Sequence, residues 1–301
     1  MIKRLIAINY LGESISLDLK DPESSGFFIE EIEGLGPSKA NINATEFATN
    51  DGAMFNSARV TSRNIILRLG FLFKPSIEAV RYQSYKFFPI KKRVTIIIET
   101  DSRLCETYGY VESNEPVIFS KKQTSQISIV CPDPYFYSLY KNVLIFNGEL
   151  PAFEFEFSNE SLTEKMMVFG ELINKTEETV YYDGDSEVGV VIKLNAIGGV
   201  SNVAIHNTYT YESMEIDTVK LAALTGSAII AGDEITISTV KGNKYVELLR
   251  NGVKTNILNC LNRDADWFQL TKGDNVFSYA AETGTANLQF RIEHQIVYEG
   301  V

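Results

Sequence analysis

The chain reads as a mainly β protein built as two bodies, and three observations predict this. Short runs rich in β-branched and aromatic residues recur along it, among them NIILRLGF (64–71) and RVTIIIE (93–99), each too brief for a helix. Asn251-Gly252 separates YVELLR from VKTNIL, the strongest short hairpin signal a sequence carries. CPDPYFY (131–137) follows the alternating run QISIV, and its two prolines each fix φ and push the preceding residue toward extended geometry. That combination predicts a stiff strap leaving a sheet. Pro132, Asp133, Pro134, Tyr135 and Phe136 are therefore the expected interdomain junction, with domains over 1–138 and 139–301.

The elements follow in order. Segment 38–58 is polar and turn-rich around Asp51-Gly52 and predicts a long exposed hairpin or loop, a kind of segment that is usually functional or ordered by a partner. In PSIEAVRYQSYKFFP (75–89), Ser76 can cap a helix, Glu78 and Lys86 suit its two ends, and Pro89 stops it. Ile77, Val80, Ser84 and Phe87/Phe88 form its mainly apolar stripe. FEFEF (153–157) alternates with period two and predicts a strand with one dry face. Further strands are expected at VGVVIKL (188–194), EITISTV (234–240), YVELLR (245–250) and LQFRIE (288–293), with DTVKLAALTG (217–226) as a second, weaker helix. Lys241-Gly242-Asn243 joins EITISTV to YVELLR, so three consecutive antiparallel strands are predicted over about 234–258.

Composition narrows the function classes. At 301 residues, 45% hydrophobic and 22% charged, the chain can bury two cores. Of the net charge of −11, residues 1–145 carry +1 and the remainder −12. So acidic a second half would repel a phosphate backbone, and no nucleic-acid partner is expected. Nor is membrane insertion, since no apolar run reaches 18 residues. The N-terminal stretch lacks the apolar core and cleavage site of a signal peptide. Cys105, Cys131 and Cys260 are sparse and odd in number, which argues against a disulfide framework and a zinc site.

No chemistry stands out. His206 and His294 sit in no metal-ligand spacing and read as structural or surface residues. There is no G-x-S-x-G elbow, and the glycine-containing stretches match no phosphate cradle. Asp183, Asp185 and Glu187 in YDGDSEVG suggest a calcium loop, but the sixth-position glycine and twelfth-position glutamate are missing, which leaves a tight turn. Carboxylate pairs such as Glu154/Glu156 and Asp264/Asp266 read as solvated charges rather than a glycosidase dyad. Trp267, the single tryptophan, is the one candidate sugar platform, with a core role as its favoured competitor. No catalytic residue, cofactor or metal is expected, and the chain is not read as an enzyme.

Several stretches together resemble the distal tail proteins of long-tailed, non-contractile bacteriophages. They are DGAMFNSARVTSRNIILRLGF (51–71), RYQSYKFFPIKKRVTIIIETDSR (81–103), YGYVESNEPVIFS (108–120) and QISIVCPDPYFYS (126–138), then IIAGDEITISTVKGN (229–243) and DADWFQLTKGDNVFSY (264–279). The resemblance implies an N-terminal β-sandwich ring domain with one helix and a C-terminal galectin-like β-sandwich carried outside the ring. It implies a virion structural protein of the tail tip or baseplate, made in the host bacterial cytoplasm and assembled as a homo-hexamer. Its implied partners are the tail tube protein, the tail-associated hub protein and, in some members, receptor-binding proteins or host saccharides. A carbohydrate-binding module acting through Trp267, and a cell-wall hydrolase, are the competing readings.

Overall fold

Alternating apolar residues form strands where one face has a core to meet. The computed structural model describes residues 1–47, 51–73, 76–117, 120–151 and 170–301. They divide into two units, Met1–Leu139 together with Val297–Val301, and Tyr140–Ile296. Two boundaries thus differ from those expected of the sequence: Leu139 stays with unit 1, and Val297–Val301 return to it.

Unit 1 runs β1 (Ile2–Ile8), β2 (Ser14–Asp18), β3 (Phe27–Glu33), β4 (Ala40–Glu46), β5 (Ala53–Val60), β6 (Arg63–Phe71), α1 (Ile77–Phe87), β7 (Arg93–Thr100), β8 (Leu104–Pro116), β9 (Thr124–Cys131) and β10 (Phe136–Ser138). Seven strands form one hydrogen-bonded path, β2-β1-β7-β8-β9-β6-β3. Leu17 from one end of the path and Phe27 from the other share a single core with Ile96, Ile98, Ile127 and Ile129. A flat sheet could not bring its two edges to one core, so this sheet wraps. Helix α1 packs on it through Val80, Ile77 and Phe87, with the buried Ser84 between them. Ser76 caps it by accepting from the Ala79 N–H at 3.2 Å. At the other end Asn114 Nδ2, on β8, donates to the Phe88 carbonyl and to the Ser84 carbonyl, which also accepts the Phe88 N–H.

Unit 2 runs β11 (Asn142–Pro151), β12 (Gly170–Asn174), β13 (Glu177–Tyr182), β14 (Val188–Gly189), β15 (Val191–Ala196), β16 (Ser201–Asn207), β17 (Glu212–Ile216), α2 (Thr218–Thr225), β18 (Glu234–Ser238), β19 (Tyr245–Arg250), β20 (Val253–Asn256), β21 (Gln269–Leu270), β22 (Gly273–Thr283) and β23 (Leu288–His294). It is a β-sandwich. A seven-stranded sheet, β12-β11-β23-β15-β18-β19-β20, faces a four-stranded one, β13-β22-β16-β17. Across the gap Tyr279 of β22 stacks on Phe290 of β23 at 4.7 Å, and Phe146 of β11 meets both rings edge-on. The expected β18-β19-β20 meander is present, and Asn251 (φ 52°) and Gly252 (φ 78°) take the left-handed turn that a two-residue hairpin requires. Asp217 caps α2 by accepting from Val219 and Lys220 N–H. The FEFEF stretch lies outside the described residues.

Unit 1 then closes with β24 (Val297–Tyr298), which pairs with β10. This corrects the reading of CPDPYFY as an exiting rod. The Asp133 carboxylate accepts the Tyr135 N–H at 3.1 Å and the Tyr137 hydroxyl at 2.7 Å, bending the chain between the prolines. The segment turns a corner and re-enters the sheet, where Tyr137 and Ser138 pair with Glu106 and Cys105 of β8. Phe136 is fully buried in the unit 1 core.

Candidate assembly surface

Every residue of β4 and β5 is exposed, and among the described residues the two strands pair only with each other. Directly opposed residues of an antiparallel pair share a face. One face therefore carries the pairs Ala40 with Val60, Ile42 with Ala58, and Ala44 with Phe55. The other carries Asn41 with Arg59, Asn43 with Ser57, and Thr45 with Met54. Asn56 is the extra residue of a bulge and donates to Thr45 Oγ1 at 2.7 Å on that polar side. The hairpin is thus amphipathic, with a dry face left in water: Ile42 is 66% and Phe55 64% exposed. A contiguous apolar face of this kind marks an interaction site, and a lone two-stranded ribbon is marginal without a surface to lie on.

The root of the hairpin is built differently. Arg63, 3% exposed, sends Nη1 to the Gly34 and Gly36 carbonyls (2.5 Å each), Nε to the Pro134 carbonyl (2.8 Å) and Nη2 to the Glu299 carbonyl (2.6 Å). Its guanidinium lies 4.3 Å above the Phe136 ring centroid. Burial pulls its pKa below the ordinary value, although Arg remains a cation at any ordinary pH. One buried cation thus ties three separate segments by four neutral carbonyls. Gly34 adopts φ +83°, and a Cβ there would lie 2.0 Å from the Asn64 carbonyl oxygen, so no side chain fits that turn.

The residues singled out in the sequence do not converge. Pro132 to Phe136 form the corner described above, inside unit 1. Burial, and then the Asp133 hydrogen bond, raise the Tyr137 pKa. Trp267 is half-buried in unit 2, with the Lys244 ammonium 5.1 Å from its ring centroid. Asp266 beside it accepts the Ser213 N–H at 3.0 Å, a structural role. Asp183, Asp185 and Glu187 point outward from a turn closed by Tyr182 Oη donating to the Ser186 carbonyl. Among the described residues no three His, Cys, Asp or Glu side chains gather as a metal site needs, and no helix is long and apolar enough to cross a membrane. His294 is buried on β23 with its pKa lowered by that burial, while His206 is half-exposed on β16. Two features escaped the sequence: the dry hairpin face and the Arg63 hub.

Residues 183–295 match the family model for the siphovirus-type tail component, C-terminal domain. The match lies in the second half of the chain and covers most of unit 2. The fold of the chain is similar to the crystal structure of phage SPP1 Dit (gp 19.1), described as a paradigm of hub adsorption apparatus in Gram-positive-infecting phages. The TM-score is 0.67 at 12% identity, over 97% of this chain and 98% of that one. It is also similar to a chain of the phage P2 baseplate in its activated conformation with Ca, at TM-score 0.50 and 11% identity over the whole of both chains. No curated protein matches. The chain is therefore mainly β, as expected.

Proposed function

We propose that this chain is a structural component of a phage tail, a non-catalytic ring subunit assembled as a homo-hexamer between the tail tube and the tail-tip hub. Unit 1 forms the ring, and unit 2 is its galectin-like outer domain. The observation that carries this is the exposed apolar face of β4–β5 on a chain whose residues 183–295 match the siphovirus-type tail component model. A hairpin that docks on a different patch of the next copy makes a heterologous contact, and such contacts close into rings when the rotation permits. The more neutral first half suits self-association, and the acidic second half suits an outward, solvated position. Sedimentation velocity and negative-stain imaging of the purified chain test the reading. The expected result is a closed ring of six. A chain that stays monomeric at high concentration, both alone and mixed with its tail tube protein, overturns it.

A further inference from the structure

The root of the hairpin is held by residues that follow unit 2 in the chain. The Val301 N–H donates to the Leu35 carbonyl at 3.0 Å. Gly300 offers its carbonyl to Arg103 Nη1 at 2.8 Å, and the Arg103 guanidinium lies 4.4 Å from the Tyr298 ring centroid. Glu299 offers its carbonyl to Arg63, the same side chain that holds Gly34 and Gly36. Val297 is buried and pairs with Tyr137. The fit is close, since a Cβ on Gly300 would come within 3.1 Å of Pro37 Cδ and 3.2 Å of the Leu35 carbonyl oxygen. Residues 34–37 are thus gripped by Val297–Val301 directly or through Arg63, and β4 begins three residues later.

We propose that Val297–Val301 act as a latch that aims the β4–β5 arm, with Arg63 as its positioning residue. The groove of unit 1 formed by Leu35, Pro37, Arg63, Arg103 and Phe136 is accordingly a receptor for an extended peptide, and the chain supplies its own. The mechanics are those of a lever. An eight-residue strand such as β5 is ~27 Å long, so a tilt of ~10° at the root moves the tip by ~5 Å, a full strand spacing. Among the described strands β4 and β5 pair only with each other, so no neighbouring strand corrects such a tilt. Because the latch follows unit 2 in sequence, the arm is aimed only once unit 2 has been made. The inference rests on reading the hairpin as the assembly arm, and the test separates the two.

Full-length Gly300→Val and Arg63→Lys variants, and a chain lacking Val297–Val301, are compared with wild type by hydrogen exchange, thiol labelling and sedimentation. Exchange at the Thr61 amide, which bonds the Lys39 carbonyl at the root, is expected to quicken roughly tenfold or more in each. Cys105 and Cys131 stay protected in the Gly300→Val chain, and oligomer formation falls. The peptide VYEGV, added to the shortened chain, restores slow exchange at Thr61. Unchanged exchange at Thr61 in Gly300→Val overturns the latch, and so does loss of thiol protection there, which would make the segment an ordinary piece of core. If the shortened chain fails to fold, the Gly300→Val result decides. A Phe55→Asp chain that still assembles refutes the arm and leaves the exchange result standing for the latch.

Discussion

Replacing Ile42 and Phe55 together by serine should abolish assembly while leaving the folded chain untouched. The size of the effect follows from exposure. Phe55 is 64% exposed, so of the roughly 200 Å² a phenylalanine can bury, ~130 Å² awaits a partner. At about 25 cal/mol per Å² that is worth ~3 kcal/mol per docked arm, and Ile42, 66% exposed, adds ~1–2 kcal/mol. The pair should weaken each subunit contact by ~4–5 kcal/mol, about three orders of magnitude in Kd. Neither side chain is buried in the single chain, so its urea midpoint should move by no more than the ~0.5 kcal/mol typical of surface changes. Sedimentation velocity over a dilution series reads the first quantity, and Trp267 fluorescence and thiol labelling in urea read the second. A dissociation midpoint displaced less than about tenfold would show that the dry face is not the docking face. Equal losses of assembly and of stability would show that the hairpin packs within its own chain.

Unit 2 contains an ion pair whose loss should be costly. Asp233, 2% exposed, accepts two bonds from Arg250 at 2.6 and 2.7 Å, and Arg250 also donates to Thr225, Ser227 and the Ala228 carbonyl. Arg250→Met strands a buried carboxylate and should lower unit 2 stability by ~3–5 kcal/mol, whereas adding Asp233→Asn should recover part of it, read by Trp267 fluorescence in urea. His294 should make unit 2 sensitive to mild acid. Its folded pKa lies below the ordinary 6.5, so the unfolded chain binds the proton first. The stabilisation is complete above pH 6.5 and falls by about 1.4 kcal/mol per pH unit until the lowered pKa is passed. A His294→Gln chain should lose that slope between pH 7.5 and 5. Burial pushes Cys105 and Cys131 up to about 11, and Cys260 is raised too. No thiol should react in the native chain at pH 8, and all three should react in denaturant, Cys105 and Cys131 reporting unit 1 and Cys260 unit 2.

Local signals were legible wherever one short stretch decides its own conformation. Ser76, Glu78, Lys86 and the Val80 stripe specified α1, and Asn251-Gly252 specified its hairpin turn, because each acts on neighbouring backbone. The dry face of β4–β5 was hidden by a single residue. Asn56 bulges, shifts the phase of period two, and makes an amphipathic strand read as polar. CPDPYFY was correctly stiff but wrongly straight, since the bend comes from the Asp133 carboxylate capturing the Tyr135 amide rather than from the prolines. Arg63 looked like one basic residue among several. Its importance lies in carbonyls at 34, 36, 134 and 299, a conjunction that no window along the sequence can display. Trp267 carried no mark of which side would be covered, and Lys244 lies over its ring.

The pairing of β10 with β24 has a consequence for how such chains can change. Phe136 opposes Tyr298 and Tyr137 opposes Val297, so the strands that precede and follow unit 2 run side by side, with backbones about 5 Å apart. Everything between them hangs from one stitched opening. A foreign module whose own ends lie close together could be spliced there without repacking a single strand of the host sheet. Unit 1 is built like a socket with an exchangeable cassette, open to new inserts while its frame stays the same.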